Sequence, residues 1–226
     1  MTTDLTLRPI AHIHSVFPSK FGIPRQSGLT EELKSEIIFE EEFRSPEALR
    51  GLSGFSHLWI VWGFSENVES GWSPTVRPPR LGGNQRMGVF ATRSPFRPNP
   101  LGLSSVKIDV IKTDLKSGPV ISVWGADLMD GTPIYDIKPY IPADCHPDAV
   151  CGFTDHTQGN RLFVTIPPQL LAKIPRELQD GLCSILAQDP RPSYQEDPMR
   201  IYGFGFAGFE VKFRVNGKDL EVVEII

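Results

Sequence analysis

Short segments in which apolar and polar residues alternate recur along much of the chain. Val106, Ile108 and Val110 share one face of residues 103–112, so this segment predicts a half-buried β-strand. Residues 57–64 (HLWIVWGF) are continuously apolar or aromatic, which predicts a strand buried on both faces. Further short strands are predicted at residues 7–15, 35–39, 87–91, 120–125, 134–141 and 161–166. Many short strands separated by turns indicate a barrel or a closed sheet.

The last third of the chain combines a helical segment with a hairpin. Residues 168–188 have a helical pattern that Pro175 interrupts near its start, because proline cannot donate the helical hydrogen bond. Two alternating segments follow, at residues 209–215 and 220–225. Between them stands Asn216-Gly217, a pair that favours a type I′ turn.

These elements divide the chain into two parts. The composition shifts near Ala143, where a loop-like stretch begins. We therefore predict a mainly β protein, with a β-barrel N-terminal domain at residues 1–143 and a small α+β C-terminal domain at residues 144–226. A chain of 226 residues with 40% hydrophobic content is long enough for one large and one small domain with a real core.

The composition contributes mainly through what it excludes. The chain has 3 cysteines, an odd number that argues against a disulfide framework and fits a reducing compartment. The N-terminus lacks a signal-peptide pattern, and no apolar run approaches the roughly 20 residues that cross a bilayer. We therefore expect a cytoplasmic protein without a membrane partner. The pI of about 5.8 argues against nonspecific coating of nucleic acid, so any polyanion must meet a local basic patch.

Residues 70–107 form such a patch. They contain six Arg or Lys residues and no Asp or Glu, a local charge of +6 in a chain whose total is −4. Many prolines and glycines favour a shaped loop over a flexible linker. Arginines held on such a frame suit a carboxylate or phosphate ligand. A solvated basic surface loop is the alternative explanation.

Two motifs with an apparent chemistry fail in their context. Residues 203–208 (GFGFAG) match the GxGxxG dinucleotide pattern, but a predicted hairpin follows instead of a helix. Cys145, His146, Cys151 and His156 are metal-ligand types, but their spacing fits no common zinc module. We therefore predict neither a dinucleotide-binding βαβ unit nor a bound metal.

Five motifs occur here in one order: FSHLW, RPPRLGG, GVFATRSPFRPNPLGLS, DLMDGTPIYDIKPYIP and AQDPRPSY. Together they resemble the TsaA-like family of tRNA adenosine N6-methyltransferases. The match covers about residues 5–142 and resumes at about residue 186. The resemblance implies a β-barrel enzyme without a Rossmann fold, acting as a homodimer. It also implies S-adenosylmethionine as cofactor and, as substrate, the threonylcarbamoyl-adenosine at tRNA position 37, beside the anticodon.

The resemblance further implies cofactor contacts at particular positions. Those associated with S-adenosylmethionine are here Pro24, Arg25, Gln26, His57, Leu58, Arg93, Leu103, Asp130, Gly131, Thr132 and Pro133. Arg25 or Arg93 could pair with the carboxylate, and Asp130 could take the amino or ribose groups. Backbone groups at Leu58 and Leu103 could hold the adenine ring.

Methyl transfer from a sulfonium depends chiefly on alignment and on the exclusion of water. The amine loses its proton only as the new bond forms, and Asp189 and Tyr194 are candidates to accept or help position it. No catalytic residue is assigned. Because an anticodon loop is single-stranded, arginines can hold the phosphates that flank an accessible base. The arginines expected to bind RNA are Arg77, Arg80, Arg86 and Arg97.

The residues alone leave two rival hypotheses open. The first is a non-catalytic module that binds a nucleotide or RNA through the arginine-rich loop. The second is a structural dimer whose basic loop contacts its own acidic C-terminal domain. Binding of S-adenosylmethionine and transfer of its label separate an enzyme from both, whereas salt-sensitive RNA binding without cofactor binding favours the module.

Overall fold

The computed structural model describes residues 5–66, 71–78, 81, 85–113, 116, 118–154, 161–191 and 197–226. The N-terminal strands are β1 (Ala11–His14), β2 (Lys34–Phe39), β3 (His57–Gly63), β4 (Thr75–Val76), β5 (Met87–Gly88), β6 (Leu101–Lys112), β7 (Val120–Trp124) and β8 (Pro133–Pro139). Within the described residues, six of them close an antiparallel barrel in the order β1-β2-β7-β6-β3-β8, and β4 pairs with β5. The prediction of an N-terminal β-barrel is confirmed.

Side chains inside the barrel alternate with side chains outside it. Leu58 and Ile60 on β3 are fully buried, whereas Trp59 and Val61 are only partly buried. The prediction that this strand is buried on both faces is therefore wrong. A barrel strand turns one face to the packed interior and the other outward, and apolar residues on the outer face of β3 hide the alternation in the sequence.

The C-terminal part packs helices on a mainly antiparallel sheet. Its elements are β9 (Phe163–Thr165), α1 (Pro168–Leu171), α2 (Arg176–Ala187), β10 (Tyr202–Phe206), β11 (Phe209–Asn216) and β12 (Asp219–Ile225). The sheet order is β10-β11-β12-β9, and β9 runs parallel to β12. Pro175 stands at the N-cap of α2, so it separates the two helices as predicted. The predicted small α+β part is confirmed.

The strand β10 is absent from the predicted elements. Its glycines at positions 203 and 205 interrupt the apolar pattern, although Tyr202, Phe204 and Phe206 are all buried. The glycine residues have a packing reason, because a Cβ at Gly205 would lie 2.6 Å from Pro18 Cγ. The GxGxxG match therefore belongs to a strand, in agreement with its rejection as a dinucleotide site.

The hairpin between β11 and β12 turns one residue later than predicted. Asn216 pairs with Asp219, so the central turn residues are Gly217 and Lys218. Gly217 has a φ of 59°, whereas Asn216 and Lys218 are not in the positive-φ region. A type I′ turn requires positive φ at both central positions, so the predicted type I′ turn at Asn216-Gly217 is wrong. Glycine at the first central position is typical of a type II′ turn.

Antiparallel closure sorts the barrel connections to two ends. β1, β3 and β7 finish at one end, where β2, β6 and β8 begin. The connections 15–33, 64–100 and 125–132 therefore meet there, and we call this the loop end. His57 begins β3 at the opposite end. The topology thus assembles three segments that are far apart in the sequence.

Two hydrophobic cores support this arrangement, one inside the barrel and one between α2 and the C-terminal sheet. Phe17 and Leu33, near the two limits of the first loop-end connection, are buried in the C-terminal core. That connection therefore belongs structurally to both parts, and the domain boundary between residues 143 and 144 stays a prediction. Across the described residues, no helix has the length and apolar character needed to cross a membrane.

Candidate active site

A cavity of about 490 Å³ opens at the loop end of the barrel. Each loop-end connection contributes to its wall: Gln26 from the first, Arg93 from the second and Asp127 from the third. Trp62 and Leu103, on β3 and β6, also line it. Small-molecule sites typically have volumes of roughly 300–1,000 Å³. The cavity is therefore the candidate active site.

The first wall is held in place by the C-terminal part. Arg25 donates from Nη2 to the carbonyl oxygens of Asp189 (3.2 Å) and Arg191 (3.4 Å). Gly22 has a φ of 93°, and a Cβ there would lie 2.3 Å from Phe204 Cδ2. Only glycine combines this conformation with such close packing. The shape of the wall therefore depends on C-terminal packing.

Arg93 is an exposed cation on the second wall. Its Nη1 donates to Gln26 Oε1 on the first wall. The Gln26 side chain also donates from Nε2 to the carbonyl oxygen of Arg25. Gln26 thus orients the Arg93 guanidinium, which keeps further donors for a ligand because it has five N–H groups.

A chain of hydrogen bonds leads from the barrel to the cavity. Trp62 donates from Nε1 to Ser104 Oγ (2.9 Å), and the Ser104 hydroxyl donates to Asp127 Oδ1 (2.6 Å). Desolvation by burial raises the pKa of Asp127 above its ordinary value. The Ser104 hydrogen bond, the backbone N–H groups of Asp127 and Ser27 and, last, the charge of Arg93 partly offset this effect. An acid whose pKa is raised by burial inside a cavity is typical of functional sites.

Gly102 allows Trp62 to take this position. The two residues are register partners on β6 and β3. A Cβ on Gly102 would lie 2.2 Å from Trp62 Cε2, so a larger residue would displace the indole. The indole N–H, which donates to Ser104 Oγ, would move with the ring. We call the surface formed by Trp62, Gly102 and Asp127 the cavity floor.

The cavity is more basic than the chain as a whole. Its cations and anions are Lys20, Arg25, Arg93, Arg97, Glu66 and Asp127. Four positive and two negative groups leave an excess of two positive charges, against −4 for the full chain. Apolar side chains complete the lining, among them Ile23, Trp62, Phe64, Leu103 and Met129. The combination suits a ligand with an apolar ring and a charged head group.

Most of the predicted cofactor residues lie at the loop end. Those that line the cavity are Pro24, Arg25, Gln26, Arg93, Leu103 and Thr132. The Asp130 carboxylate instead accepts a hydrogen bond from the Ser15 amide (2.9 Å) and lies 3.2 Å from His14 Nδ1. Beside the cavity but outside its lining lie Asp130, Gly131 and Pro133. Their cofactor contacts stay predictions.

His57 and Leu58 lie away from this cavity. They begin β3, whereas its last residue, Gly63, lines the cavity. The six intervening steps of an extended strand span roughly 20 Å. Leu58 is buried inside the barrel, and His57 Nδ1 lies 2.9 Å from Ser56 Oγ. A single copy of the chain does not bring these two residues to the cavity, and their cofactor role stays a prediction.

Two of the predicted RNA-binding arginines lie on or beside the β4-β5 ribbon. Arg77 and Arg86 are both exposed. Arg86 donates from Nη1 to Thr75 Oγ1 (2.8 Å), which fixes its position. Arg80 lies outside the described residues. The two described side chains present positive charge to solvent near the second loop-end connection, and their RNA contacts stay predictions.

Arg97, the fourth predicted RNA-binding arginine, has structural partners. Its Nη1 donates to the carbonyl oxygens of Val89 (3.0 Å) and Thr92 (2.7 Å). Its guanidinium carbon lies 5.6 Å from the centre of the Phe90 ring. Arg97 therefore braces the 3-10 turn Val89–Ala91, which occupies most of the strand predicted at residues 87–91. Of the residues in that predicted strand, only Met87–Gly88 form a strand, β5.

Within the described residues, the other candidates from the sequence are not brought together in a site. In the part of the chain that the structure describes, no group of three or more His, Cys, Asp or Glu is placed to hold a metal ion. Cys145 and Cys151 are exposed thiols, and His156 lies outside that part. The Asp189 carboxylate forms an ion pair within its own loop, and Tyr194 is again outside the described residues. The absence of a metal stays a prediction.

Asp127 and Trp62 are absent from the site residues predicted from the sequence. Trp62 lies in the apolar run of β3, where every large residue suggests a position in the hydrophobic core. The sequence therefore gives no sign that Trp62 lines a site. Asp127 does carry a usable signal: it is the first acid after the buried strand β7, and it opens the motif DLMDGTPIYDIKPYIP. An acid directly after a barrel strand lies at a barrel end, where connections from other strands can meet it.

The two parts of the chain match the two domain models of one protein family. Residues 12–145 match the model of the tRNA-methyltransferase O N-terminal domain, and residues 164–226 match that of the TrmO C-terminal domain. The tRNA (adenine(37)-N6)-methyltransferase of Escherichia coli (strain K12) is 41% identical over 222 residues. That alignment covers 94% of this chain and 94% of the relative.

A Pseudomonas aeruginosa protein with the provisional name of an S-adenosylmethionine-dependent methyltransferase is 36% identical, over 95% of this chain and 94% of its own. The crystal structure of TrmO from Pseudomonas aeruginosa superposes with a TM-score of 0.78 at 29% identity. It covers 99% of this chain and 100% of that chain. The resemblance seen in the sequence is confirmed, and the chain belongs to the tRNA-methyltransferase O family.

Proposed function

We propose that this protein is an S-adenosylmethionine-dependent methyltransferase that modifies N6 of an adenosine in tRNA. The name of the Escherichia coli relative, a tRNA (adenine(37)-N6)-methyltransferase, supports this activity. The observation that carries the proposal is the loop-end cavity, where Arg93 and Asp127 border a largely apolar space. The proposed substrate is the threonylcarbamoyl-adenosine at position 37, beside the anticodon, as the family resemblance implies.

The residues of the cavity fit the chemistry of this cofactor. Arg93 offers a fork of donors that suits an α-carboxylate. Trp62, Phe64 and Leu103 offer apolar surface for an adenine ring. When bound, S-adenosylmethionine supplies a methyl group that its sulfonium makes electrophilic. Among the predicted cofactor residues, those that line the cavity are therefore the ones we propose for binding.

The chain's own part in the reaction is alignment and shielding. In-line attack requires that the target nitrogen be held close to the methyl group and that water be excluded. The contact between Gln26 and Arg93 joins two walls of the cavity, and the Trp62–Ser104 hydrogen bond holds the floor. These contacts fix the surroundings of a bound ligand before the RNA arrives. No residue of the chain is assigned as proton acceptor.

The basic patch at residues 70–107 supplies a surface for RNA beside the cavity. Trp72 is 58% exposed and Phe90 is 73% exposed, although large aromatic residues are mostly buried in folded proteins. Phe96 also reaches solvent, between the cavity-lining residues Pro95 and Arg97. We propose that unpaired bases of the anticodon loop stack on these rings. The phosphates are then held by Arg77, Arg80, Arg86 and Arg97.

Replacing Arg77 and Arg86 together with Ala is expected to weaken tRNA binding and to flatten its salt dependence. Each phosphate contact to a single strand contributes about 0.7 to the slope of log K against log salt. The double variant should therefore lose about 1.4 from that slope. Fluorescence anisotropy with labelled tRNA at several salt concentrations measures this change, and cofactor affinity should remain close to wild type.

A matched control for this variant exists at the opposite end of the barrel. Arg8 and Arg50 are exposed and pair with Glu42 and Glu47, so Arg8→Ala with Arg50→Ala removes the same charge. This control should leave the salt slope near wild type. Equal slopes for both double variants and wild type would place the RNA surface elsewhere.

The proposed reaction has a direct test. The purified protein is incubated with S-adenosylmethionine carrying a labelled methyl group and with tRNA, which is then digested to nucleosides. Label in N6-methylated threonylcarbamoyl-adenosine is the expected result. tRNA from cells unable to make threonylcarbamoyl-adenosine should accept no label, whereas label in unmodified adenosine would correct the proposed substrate. Absence of label together with salt-sensitive RNA binding would favour the non-catalytic module.

Two further properties are proposed from the resemblance and the tRNA substrate. The protein is a homodimer, which light scattering coupled to size-exclusion chromatography tests by giving the mass in solution; one chain has a mass of 25.2 kDa. It acts in the cytoplasm, where its tRNA substrate is found. A mass of one chain at working concentration would contradict the first proposal.

A further inference from the structure

The third loop-end connection carries two acids, and they have different surroundings. Asp130 accepts a hydrogen bond from the Ser15 amide (2.9 Å) and lies beside His14, outside the cavity lining. Asp127 belongs to the cavity floor. Of the two, Asp127 is the one placed to meet a ligand inside the cavity, although the sequence motif directed attention to Asp130.

The orientation of Asp127 is set from inside the barrel. Ser104 is 1% exposed, and its hydroxyl donates to Asp127 Oδ1 (2.6 Å). The Trp62 indole donates to Ser104 Oγ, so the serine hydrogen is directed towards the carboxylate. The backbone N–H groups of Ser27 and of Asp127 itself also donate to this carboxylate. A carboxylate offers about four lone-pair sites, so these donors and the Ser104 hydroxyl leave acceptor capacity for a ligand.

Arg93 provides the opposite charge nearby. It lines the same cavity, and its electrostatic influence reaches the Asp127 carboxyl. The cavity therefore presents an anion and a cation to one bound molecule. A free α-amino acid head group carries an ammonium and a carboxylate on the same carbon, so it matches this pair of charges.

We propose that Asp127 binds the α-ammonium group of the cofactor while Arg93 binds its α-carboxylate. This inference rests on the proposed use of S-adenosylmethionine. Asp127 then takes the role that the sequence analysis offered to Asp130. Ser104 and Trp62 act as positioning residues, because they reach the ligand only through Asp127 in this scheme.

The cost of burying Asp127 supports a role in binding. Burial raises the pKa of this carboxyl, so its ionised form is disfavoured in the folded protein. An asparagine would accept the Ser104 hydrogen bond without carrying a charge. An ammonium group in the cavity would compensate the ionised carboxylate, so the charge has a purpose when the ligand is bound.

Two ligands that differ only in the head group test this inference. S-adenosylhomocysteine contains the amino acid portion, whereas 5′-methylthioadenosine retains the adenine, ribose and sulfur but lacks the amino acid. Isothermal titration calorimetry gives both affinities for wild type and for Asp127→Asn. We expect Asp127→Asn to lose about 10-fold or more in affinity for S-adenosylhomocysteine. Its affinity for 5′-methylthioadenosine should change less than about 3-fold, since Asp127 does not touch the shared portion.

Other outcomes would overturn the inference. An equal loss for both ligands would assign Asp127 to the ribose or adenine, and no loss for either would remove it from cofactor binding. A selective loss of S-adenosylhomocysteine in Asp130→Asn, but not in Asp127→Asn, would return the role to Asp130. If the wild-type protein binds neither these ligands nor S-adenosylmethionine, the proposed function itself fails. If wild type and Asp127→Asn bind S-adenosylhomocysteine equally well, only this inference is refuted.

Thermal unfolding checks that Asp127→Asn is folded. We expect it to be at least as stable as wild type at neutral pH, because the buried charge is removed and the Ser104 hydrogen bond keeps an acceptor. Should the variant not fold, Ser104→Ala is measured with the same two ligands. It should lose several-fold in affinity for S-adenosylhomocysteine alone, since only the orientation of Asp127 changes. Equal affinities of Ser104→Ala and wild type for both ligands would count against the inference.

Discussion

Replacing Arg93 with Ala is expected to weaken the binding of S-adenosylmethionine by about 10- to 100-fold. A hydrogen bond to a charged group contributes roughly 1.5–3 kcal/mol, and about 1.4 kcal/mol corresponds to a factor of ten. Arg93 is exposed at the cavity wall, where Gln26 orients it, so its loss should leave the fold intact. Isothermal titration calorimetry measures the dissociation constant without tRNA.

Two further variants sharpen this prediction. Arg93→Lys keeps the charge but loses the planar fork, so its affinity should fall between those of wild type and Arg93→Ala. Arg50→Ala removes a positive charge at the opposite end of the barrel, where Arg50 pairs with Glu47, and should bind the cofactor as wild type does. Wild-type affinity in Arg93→Ala would exclude Arg93 from the site and leave Arg25 as the next candidate for the carboxylate.

Replacing Phe204 with Ala is expected to lower the free energy of unfolding by about 3–5 kcal/mol, the usual cost of removing a buried phenylalanine. Phe204 is 3% exposed and packs edge-on against Phe213 in the C-terminal core. It also packs edge-on against Phe21 and lies directly behind Gly22, in the connection that carries Gln26. The substitution should therefore also weaken cofactor binding several-fold, because the first wall loses its support.

Leu220→Ala is the matched control for this second effect. Leu220 is 1% exposed in the same core, and its strand β12 lies beyond β11 from β10. We expect Leu220→Ala to cost about 2–5 kcal/mol of stability while the folded protein keeps wild-type cofactor affinity. Chemical denaturation gives the stabilities, and calorimetry well below the unfolding temperature gives the affinities. If the two variants bind the cofactor equally well, C-terminal packing does not shape the cavity.

Local features of the fold could be predicted because their causes are local. Alternation over a few residues defines β6, and Pro175 separates α1 from α2, since both effects act within one element. The turn at Asp130-Gly131 has a local cause of the same kind: Thr132 donates from its amide to Met129 O (3.1 Å), and Gly131 has a φ of 76°. That geometry corresponds to a type II turn with glycine at its third position.

Predictions became wrong where packing changes the meaning of a pattern. The apolar run of β3 suggested burial on both faces, but the barrel buries only alternate residues. The glycines of β10 concealed a strand, because they make room for Pro18 and other neighbours rather than ending the element. In both cases, the burial of the side chains depends on neighbours that are distant in the sequence, so the residues of the segment alone do not determine it.

The candidate site shows the same division. Motif resemblance identified Arg93, Gln26 and Thr132 without any knowledge of their contacts, and all three line the cavity. It could not distinguish Asp127 from Asp130, which are separated by only two residues, because side-chain direction depends on partners such as Ser104 and Ser15. It also could not reveal that Arg25 and Gly22 are held against the C-terminal part.

The sequence by itself determined the β-rich character of the chain, the helical break at Pro175, the acid-free basic segment and the family. Only the tertiary structure decided that the connections 15–33, 64–100 and 125–132 meet at one end while His57 lies at the other. The physical reason is that periodicity and turn chemistry act over a few residues. The barrel order β1-β2-β7-β6-β3-β8 instead arises from hydrogen bonds and burial between strands that are distant in the chain.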